Sequence, residues 1–90
     1  MPKYVIEREL PGAGSLSSGE LHSISAKSNQ VLANMGTRAK WLESFVTNDK
    51  IYCVYVANGE ADVREHAEMG GFPANVVSQV TTVIDPSTGE

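Results

Sequence analysis

The sequence predicts a single α+β domain with the element order βαββαβ. Four segments are rich in the β-branched and aromatic residues that favour strands. The segment after the first strand has apolar residues at the spacing of three and four that is typical of an amphipathic helix. The segment after the third strand has Asn58 as a possible cap, followed by Glu60 and Asp62 where acids favour a helix start. Turns rich in Gly, Asn and Pro separate the segments. Because such crossovers are right-handed, this order gives a four-stranded antiparallel sheet with both helices on one face, which is the ferredoxin-like arrangement.

The first strand is predicted over Lys3–Leu10, where Pro11-Gly12 ends the run of β-forming residues. The first helix begins with a capping box, because Ser17 and Glu20 can each accept a backbone N–H at the helix start. Its apolar stripe consists of Leu21, Ile24, Ser28, Val31, Leu32 and Met35. Gly36 is predicted to end this helix in a left-handed conformation.

The second and third strands are predicted to form a hairpin. The strands are Lys40–Val46 and Lys50–Ala57, and Thr47-Asn48-Asp49 has the composition of the turn between them. Asn58 is predicted to cap the second helix, which ends at Gly70-Gly71.

The last strand is predicted over Gln79–Asp85. Pro73 suits the first position of a short extra helical turn before this strand. Residues 1–86 are therefore predicted to be one domain, and residues 87–90 a polar tail that frays.

Charge and composition exclude several functional classes. Seven basic and eleven acidic residues give a net charge of −4, and the basic residues are dispersed. Nucleic acid and anionic membrane surfaces would repel such a chain, so neither is an expected partner. The single cysteine, Cys53, cannot form an internal disulfide, and no apolar run reaches the roughly 20 residues of a membrane span. We therefore expect a cytoplasmic protein.

The strand sequences predict a homodimer. Two helices cover one face of a four-stranded sheet, so the other face of a monomer should be polar. The strands are instead apolar or aromatic on both faces, as in Ile51–Val56, Trp41-Leu42 and Phe45-Val46. These side chains would expose more apolar surface than a monomer usually does, and stacking two sheets face to face would cover it. The alternative is that the loop Pro11–Ser18 or the tail covers this face.

His66 is the first candidate for a functional site. It follows Asp62 by one helical turn, so the two side chains share a face of the second helix. An imidazole and a carboxylate can bind a divalent metal through nitrogen and oxygen. The structural alternative is that His66 only forms an ion pair with Asp62 near the C-terminal end of the helix.

Carboxylates inside strands are the second candidates, because acids are disfavoured there. Alternation places Glu7 on the same face of the first strand as Val5, and Glu43 on the same face of the second strand as Trp41. Such acids need a cationic partner, either a basic side chain or a metal ion. Protection of an edge strand explains Glu43 equally well.

Three parts of the sequence resemble a bacterial family of unknown function. They are MPKYVIERELPG at residues 1–12, DKIYCVY at residues 49–55, and VREHA at residues 63–67 followed by GGFPA at residues 70–74. At least one member of that family is described as nickel-binding and nickel-responsive, and the family is similar in fold to dimeric proteins that form an α+β barrel. The resemblance implies a dimeric α+β barrel and favours His66 and Glu7 as site residues.

Three functional hypotheses follow. The first is a protein that binds a divalent metal ion such as Ni²⁺, although mixed nitrogen and oxygen ligands do not select nickel over copper, zinc or cobalt. Its ligands would be His66, Glu7, Glu43 and Asp62. The second is a dimeric α+β barrel enzyme such as a cofactor-independent oxygenase, in which one apolar cavity reaches Trp41 and His66 and the histidine is the general base. The third is an interaction module with neither metal nor cavity, whose dimer surface is its whole function.

Overall fold

The structure is a computed structural model that describes residues 1–90. Its elements are β1 (Lys3–Glu9), α1 (Ser18–Met35), β2 (Ala39–Val46), β3 (Lys50–Ala57), α2 (Glu60–Gly70) and β4 (Val76–Gln79). The strands form one antiparallel sheet in the order β2-β3-β1-β4. This order confirms the predicted ferredoxin-like α+β fold. Neither helix is long and apolar enough to cross a membrane.

The first helix begins as predicted. Glu20 N–H donates to Ser17 Oγ at 3.1 Å, and Ser17 N–H donates to Glu20 Oε1 at 3.0 Å, so the capping box is complete. These bonds favour the ionised carboxyl and lower the pKa of Glu20. Gly36 follows the last residue of α1 as predicted and has a positive φ of 65°, but its ψ of −126° lies outside the left-handed helical region that was predicted for it.

The second helix begins one residue later than predicted. Its N-cap is Gly59, and no side chain caps it. The prediction that Asn58 caps α2 is therefore wrong, because the backbone N–H of Asn58 donates to Arg38 O at 3.0 Å and belongs to the end of the β2–β3 hairpin. Gly71 ends α2 in the left-handed region, with a φ of 68°.

The last strand lies earlier in the chain than predicted. β4 is Val76–Gln79, which pairs with β1 from Tyr4 to Glu7, and the predicted strand Gln79–Asp85 is wrong. Pairing ends at Val80, whose backbone N–H donates to the carbonyl oxygen of Lys3, the first residue of β1, at 2.8 Å. The chain then continues as an exposed arm, residues 81–90, which closes in a short 3-10 turn over Pro86–Gly89.

Two hydrogen bonds from the end of β1, one from a side chain and one from the backbone, explain the early start of β4. The guanidinium Nη1 of Arg8 donates to the carbonyl of Pro73 at 2.5 Å, and the N–H of Glu9 donates to Oδ1 of Asn75 at 2.8 Å. These two bonds hold the segment after α2 against the end of β1, so pairing begins at once. The predicted extra helical turn at Pro73 is absent for the same reason.

The two faces of the sheet differ in what covers them. Residues Ile51, Cys53, Tyr55 and Ala57 of β3 are buried and face the helices. The core cluster on this side consists of Tyr4, Ile6, Ala13, Val31, Met35, Ala39, Ile51, Cys53, Tyr55, Ala57 and Val63. Opposed residues of an antiparallel pair share a face, so the register places on the other side both apolar and charged residues: Lys3, Val5, Glu7, Glu9, Lys40, Glu43, Phe45, Lys50, Tyr52, Val54, Val56, Val76 and Ser78. This side is called the open face below.

No other part of the chain covers the open face. Ala13, the buried residue of the loop before α1, belongs to the core on the helix side. Residues 81–90 are all exposed. The loop and the tail, the two alternative covers considered from the sequence, therefore leave the open face accessible.

A β-bulge in β2 changes the face of Glu43. Trp41 pairs with Tyr55, and the next residue that pairs, Glu43, opposes the adjacent position of β3. Leu42 is therefore an extra residue in β2. The bulge places Trp41 on the helix side and Glu43 on the open face, so the prediction that they share a face is wrong. Strict alternation does not hold across a bulge.

Candidate functional site

His66 lies at the centre of the interface between α2, α1 and the sheet. Its side chain is fully buried, because α2 turns Val63, His66, Ala67 and Gly70 inwards. Its Nε2 is 3.0 Å from Ser28 Oγ of α1. The rings of Tyr55 and Phe72 lie on either side, with centroids 5.0 and 5.5 Å from the imidazole.

The imidazole of His66 is neutral at neutral pH. Burial, and then the positive charge of Arg8, lower its pKa from 6.5 to about 4. Its Nδ1 is buried and has no hydrogen-bond partner. A buried N–H without a partner is less favourable than a buried acceptor without one, so we place the proton on Nε2, where it is donated to Ser28 Oγ. Nδ1 then holds a free lone pair.

The other three predicted ligands are not beside His66. Asp62 accepts from Arg38 Nη1 at 2.9 Å, and the same guanidinium donates to Glu65 and lowers its pKa. Glu7 accepts from Lys50 Nζ at 2.6 Å. Glu7 and Glu43 both lie on the open face, so the sheet separates them from His66. His66 forms no ion pair with Asp62, since Arg38 holds that carboxylate.

A cavity of about 430 Å³ lies beside His66, between α1, the sheet and the segment that follows α2. Half of its lining residues are hydrophobic, and Trp41, Ile24 and Ile51 are among them. His66 does not line it, but Ser28 and Phe72, which contact the imidazole, do. The volume is within the range of pockets that bind small molecules.

Arg8 is the buried cation of this cavity. It is 5% exposed, although it lies in a strand between two acids of the open face. Its Nε donates to Cys53 Sγ at 3.3 Å, and its guanidinium carbon is 5.5 Å from the centre of the Phe72 ring. Its Nη2 is buried and has no hydrogen-bond partner. Arg8 is not among the predicted site residues, although alternation along β1 places it on the buried face with Tyr4 and Ile6 and is a signal that could have identified it.

Comparison with known proteins shows the family. The sequence profile of a family described as nickel-responsive and SCO4226-like matches residues 4–80. The chain belongs to the SCO4226-like family of nickel-responsive proteins. The crystal structure of SCO4226 from Streptomyces coelicolor A3(2) has a similar fold, with a TM-score of 0.77 over 91% of this chain and 99% of that one. The two sequences are 15% identical, so this similarity supports the fold alone. No curated protein matches the chain.

The SCO4226-like family name directs attention to metal ligands, and a single chain does not assemble them. No group of three or more His, Cys, Asp or Glu side chains in the structure could hold a metal ion. Asp62 and Glu7 are each held by a basic side chain, and the Nε2 of His66 is bonded to Ser28. The residues of one SCO4226-like chain therefore do not fit a nickel ion by themselves, and the predicted ligand set stays a prediction.

The enzyme hypothesis meets only part of its requirement in this SCO4226-like chain. A cavity of the required size is present and reaches Trp41. His66 is outside it, and the buried side chains of Ser28 and Tyr55 and the ring of Phe72 lie between the imidazole and the cavity. The histidine is thus not placed to remove a proton from a molecule in the cavity. The same cavity is unexpected for a plain interaction module.

Proposed function

We propose that this protein is a nickel-responsive homodimer in which two copies meet through their open faces and bind a divalent metal with carboxylates from both copies. The observation that carries this proposal is a sheet face left uncovered by the helices, on which exposed apolar side chains lie beside the carboxylates of Glu7 and Glu43. The family to which the chain belongs is described as nickel-responsive, and this supports the choice of metal.

The apolar character of the open face supports a dimer. Phe45 is 53% exposed and Val76 46% exposed, and Tyr52 and Val54 between them are half-buried. Covering such side chains is favourable by about 25 cal/mol per Å² before the cost of association. A second copy is a self-complementary cover, because a twofold axis brings the same patch of both chains together.

The exposed arm supports the same partner. Val83 and Ile84 are 69% and 75% exposed, the highest values among the large hydrophobic residues. They follow β4, whose Val76 is on the open face. Contact with a second copy would bury these two side chains together with the face.

The open-face carboxylates support an intermolecular metal site. In a twofold dimer each carboxylate occurs twice, so Glu7 and Glu43 supply four. The ion pair between Glu7 and Lys50 is partly exposed, and such pairs contribute at most about 1 kcal/mol. A divalent cation can therefore displace Lys50. Oxygen ligands alone select weakly among divalent ions, so nickel must be compared with manganese and zinc.

The test combines sedimentation with calorimetry on the tag-free full chain. We expect a dimer that binds Ni²⁺, a large loss of Ni²⁺ affinity in Glu43→Gln, and a monomer without Ni²⁺ binding in Phe45→Lys. Met69→Lys is the matched control, because Met69 is 49% exposed on α2, and it should leave both properties unchanged.

Three results would contradict the proposal. One is a wild-type monomer at every concentration, and another is unchanged Ni²⁺ affinity in Glu43→Gln. The third is a loss of affinity in His66→Gln with none in Glu43→Gln, which would locate the metal on the helix side of the sheet instead.

A further inference from the structure

The cavity beside His66 carries positive charge that no acidic side chain balances. Its charged lining residues are Arg8 and Lys27, and neither Asp nor Glu lines it. Arg8 forms no ion pair with any carboxylate of the chain. A buried guanidinium cannot lose its proton, and a buried charge without a counter-charge is costly.

One nitrogen of Arg8 has no hydrogen-bond partner within the chain. Nη1 donates to the carbonyl of Pro73 at 2.5 Å and Nε to Cys53 Sγ at 3.3 Å, while Nη2 is buried without any partner. The two occupied nitrogens and the ring of Phe72 hold the guanidinium in place. The position of the free N–H groups is thus set before any ligand arrives, which lowers the cost of binding.

We propose that this cavity binds a small amphipathic carboxylate, with its carboxylate on the guanidinium of Arg8 and its apolar part against Trp41, Ile24 and Ile51. The site is on the helix side of the sheet, so it is independent of the metal site and the dimer proposed above.

The composition of the wall selects the class of ligand. A guanidinium edge matches a carboxylate in geometry and charge. Half of the lining residues are hydrophobic, so an anion with an apolar body gains from burial where a free inorganic anion does not. Lys27 is exposed at the mouth of the cavity, where it attracts anions without being buried with them.

The test is a titration of the full chain with sodium octanoate and sodium 4-phenylbutyrate. The chain contains one tryptophan, Trp41, and it lines the cavity, so its fluorescence reports binding directly. The matched ligands are octanamide and 4-phenylbutyramide, which have the same shape without the charge. We expect the carboxylates to bind roughly tenfold to a hundredfold more tightly than the amides, as for a hydrogen bond to a charged group.

Substitutions identify the anchor. Arg8→Met retains an unbranched, flexible side chain and removes the guanidinium with its unbalanced charge. This substitution should abolish the preference for the carboxylate over the amide. Arg64→Met is the control, since Arg64 is exposed on α2 and pairs only with Glu60; it should keep the preference. Ile24→Phe fills part of the cavity and leaves Arg8 unchanged, so it should weaken the binding of all four compounds. Backbone amide chemical shifts during a titration measure this affinity.

Each contrary result would overturn the assignment. Equal binding of carboxylates and amides would remove the role of the charge, and so would a preference that survives in Arg8→Met. Failure of all four compounds to bind would show that the cavity is not a ligand site. Binding of inorganic phosphate as tight as that of octanoate would show a plain anion site instead of an amphipathic one.

Discussion

The imidazole Nε2 of His66 lies 3.0 Å from the hydroxyl Oγ of Ser28, and this contact joins the two helices inside the core. Both side chains are at least 95% buried. The bond satisfies the only polar side-chain atom of Ser28 and one of the two ring nitrogens of His66. It is the polar centre of an otherwise apolar interface, and its loss has consequences for stability that can be measured.

Replacing His66 with alanine should destabilise the fold by about 2–4 kcal/mol, because a cavity forms between Tyr55 and Phe72 and Ser28 loses its partner. Urea unfolding followed by circular dichroism measures this change. His22→Ala is the control, since His22 is exposed on α1 and should change stability by less than about 0.5 kcal/mol. Equal effects of the two substitutions would show that the core contact is unimportant.

Acid should destabilise the protein through His66 between pH 6.5 and pH 4. The unfolded imidazole takes up a proton below about pH 6.5, whereas the folded one does so only near pH 4. The contribution of His66 to the free energy of unfolding is thus complete above pH 6.5. It is lost as the pH falls towards 4, and the loss is on the order of 2–3 kcal/mol. The measurement is the urea midpoint as a function of pH.

His66→Gln separates this effect from the titration of carboxyl groups. Glutamine can still donate to Ser28 and does not titrate. Its stability should therefore be flat over the upper part of that pH range. A wild-type profile that matches the glutamine variant would contradict a lowered histidine pKa.

Gly70→Ala should destabilise the protein by about 1–3 kcal/mol, because a Cβ at this position would overlap the ring of Phe72. Gly19→Ala is the matched change in the other helix, where the nearest atom to a Cβ is 3.9 Å away. It should instead stabilise the protein by about 0.5–1 kcal/mol, since alanine is the better helix former. Thermal unfolding of the two variants should shift in opposite directions, and shifts of the same sign would refute the packing argument.

Ser17→Ala should cost about 1 kcal/mol, because it removes half of the capping box of α1. Ser23→Ala is its control within the same helix. The hydroxyl of Ser23 bonds only to the backbone of its own helix, at Gly19 O, so its removal should be neutral or slightly favourable. Chemical denaturation measures both.

Local patterns predicted most of the fold. The capping box at Ser17, the turn at Thr47-Asn48-Asp49 and the glycine end of α2 are short-range signals, and the structure has all three. β4 was misplaced because two β-forming runs, Val76-Val77 and Val80–Ile84, compete for one place beside β1. The choice between them depends on the contacts of Arg8 and Glu9 with the preceding segment, which are distant in sequence.

The candidate site was predicted less completely than the fold. Helical spacing suggested Asp62 as the neighbour of His66, but the partner of Asp62 is Arg38, which comes from another part of the chain. The face on which Glu43 lies depends on the bulge at Leu42, and no residue type in this part of the sequence indicates a bulge. The cavity and its cation result from the packing of α1 over the sheet, and only the alternation of Arg8 with Tyr4 and Ile6 was available in the sequence.

The bulge at Leu42 determines which residues of the second half of β2 face the helices and which lie on the open face. Trp41, before it, and Ser44, after it, both face the cavity, and Trp41 Nε1 donates to Ser44 Oγ at 2.9 Å. If Leu42 instead paired within a regular ladder, Glu43 would lie opposite Cys53 on the inner wall, as an acid beside Arg8, and the outer sheet surface would lose it. The bulge thus keeps a negative charge out of the interior, and regular pairing through Leu42 would exchange the chemistry of the two sides of the protein.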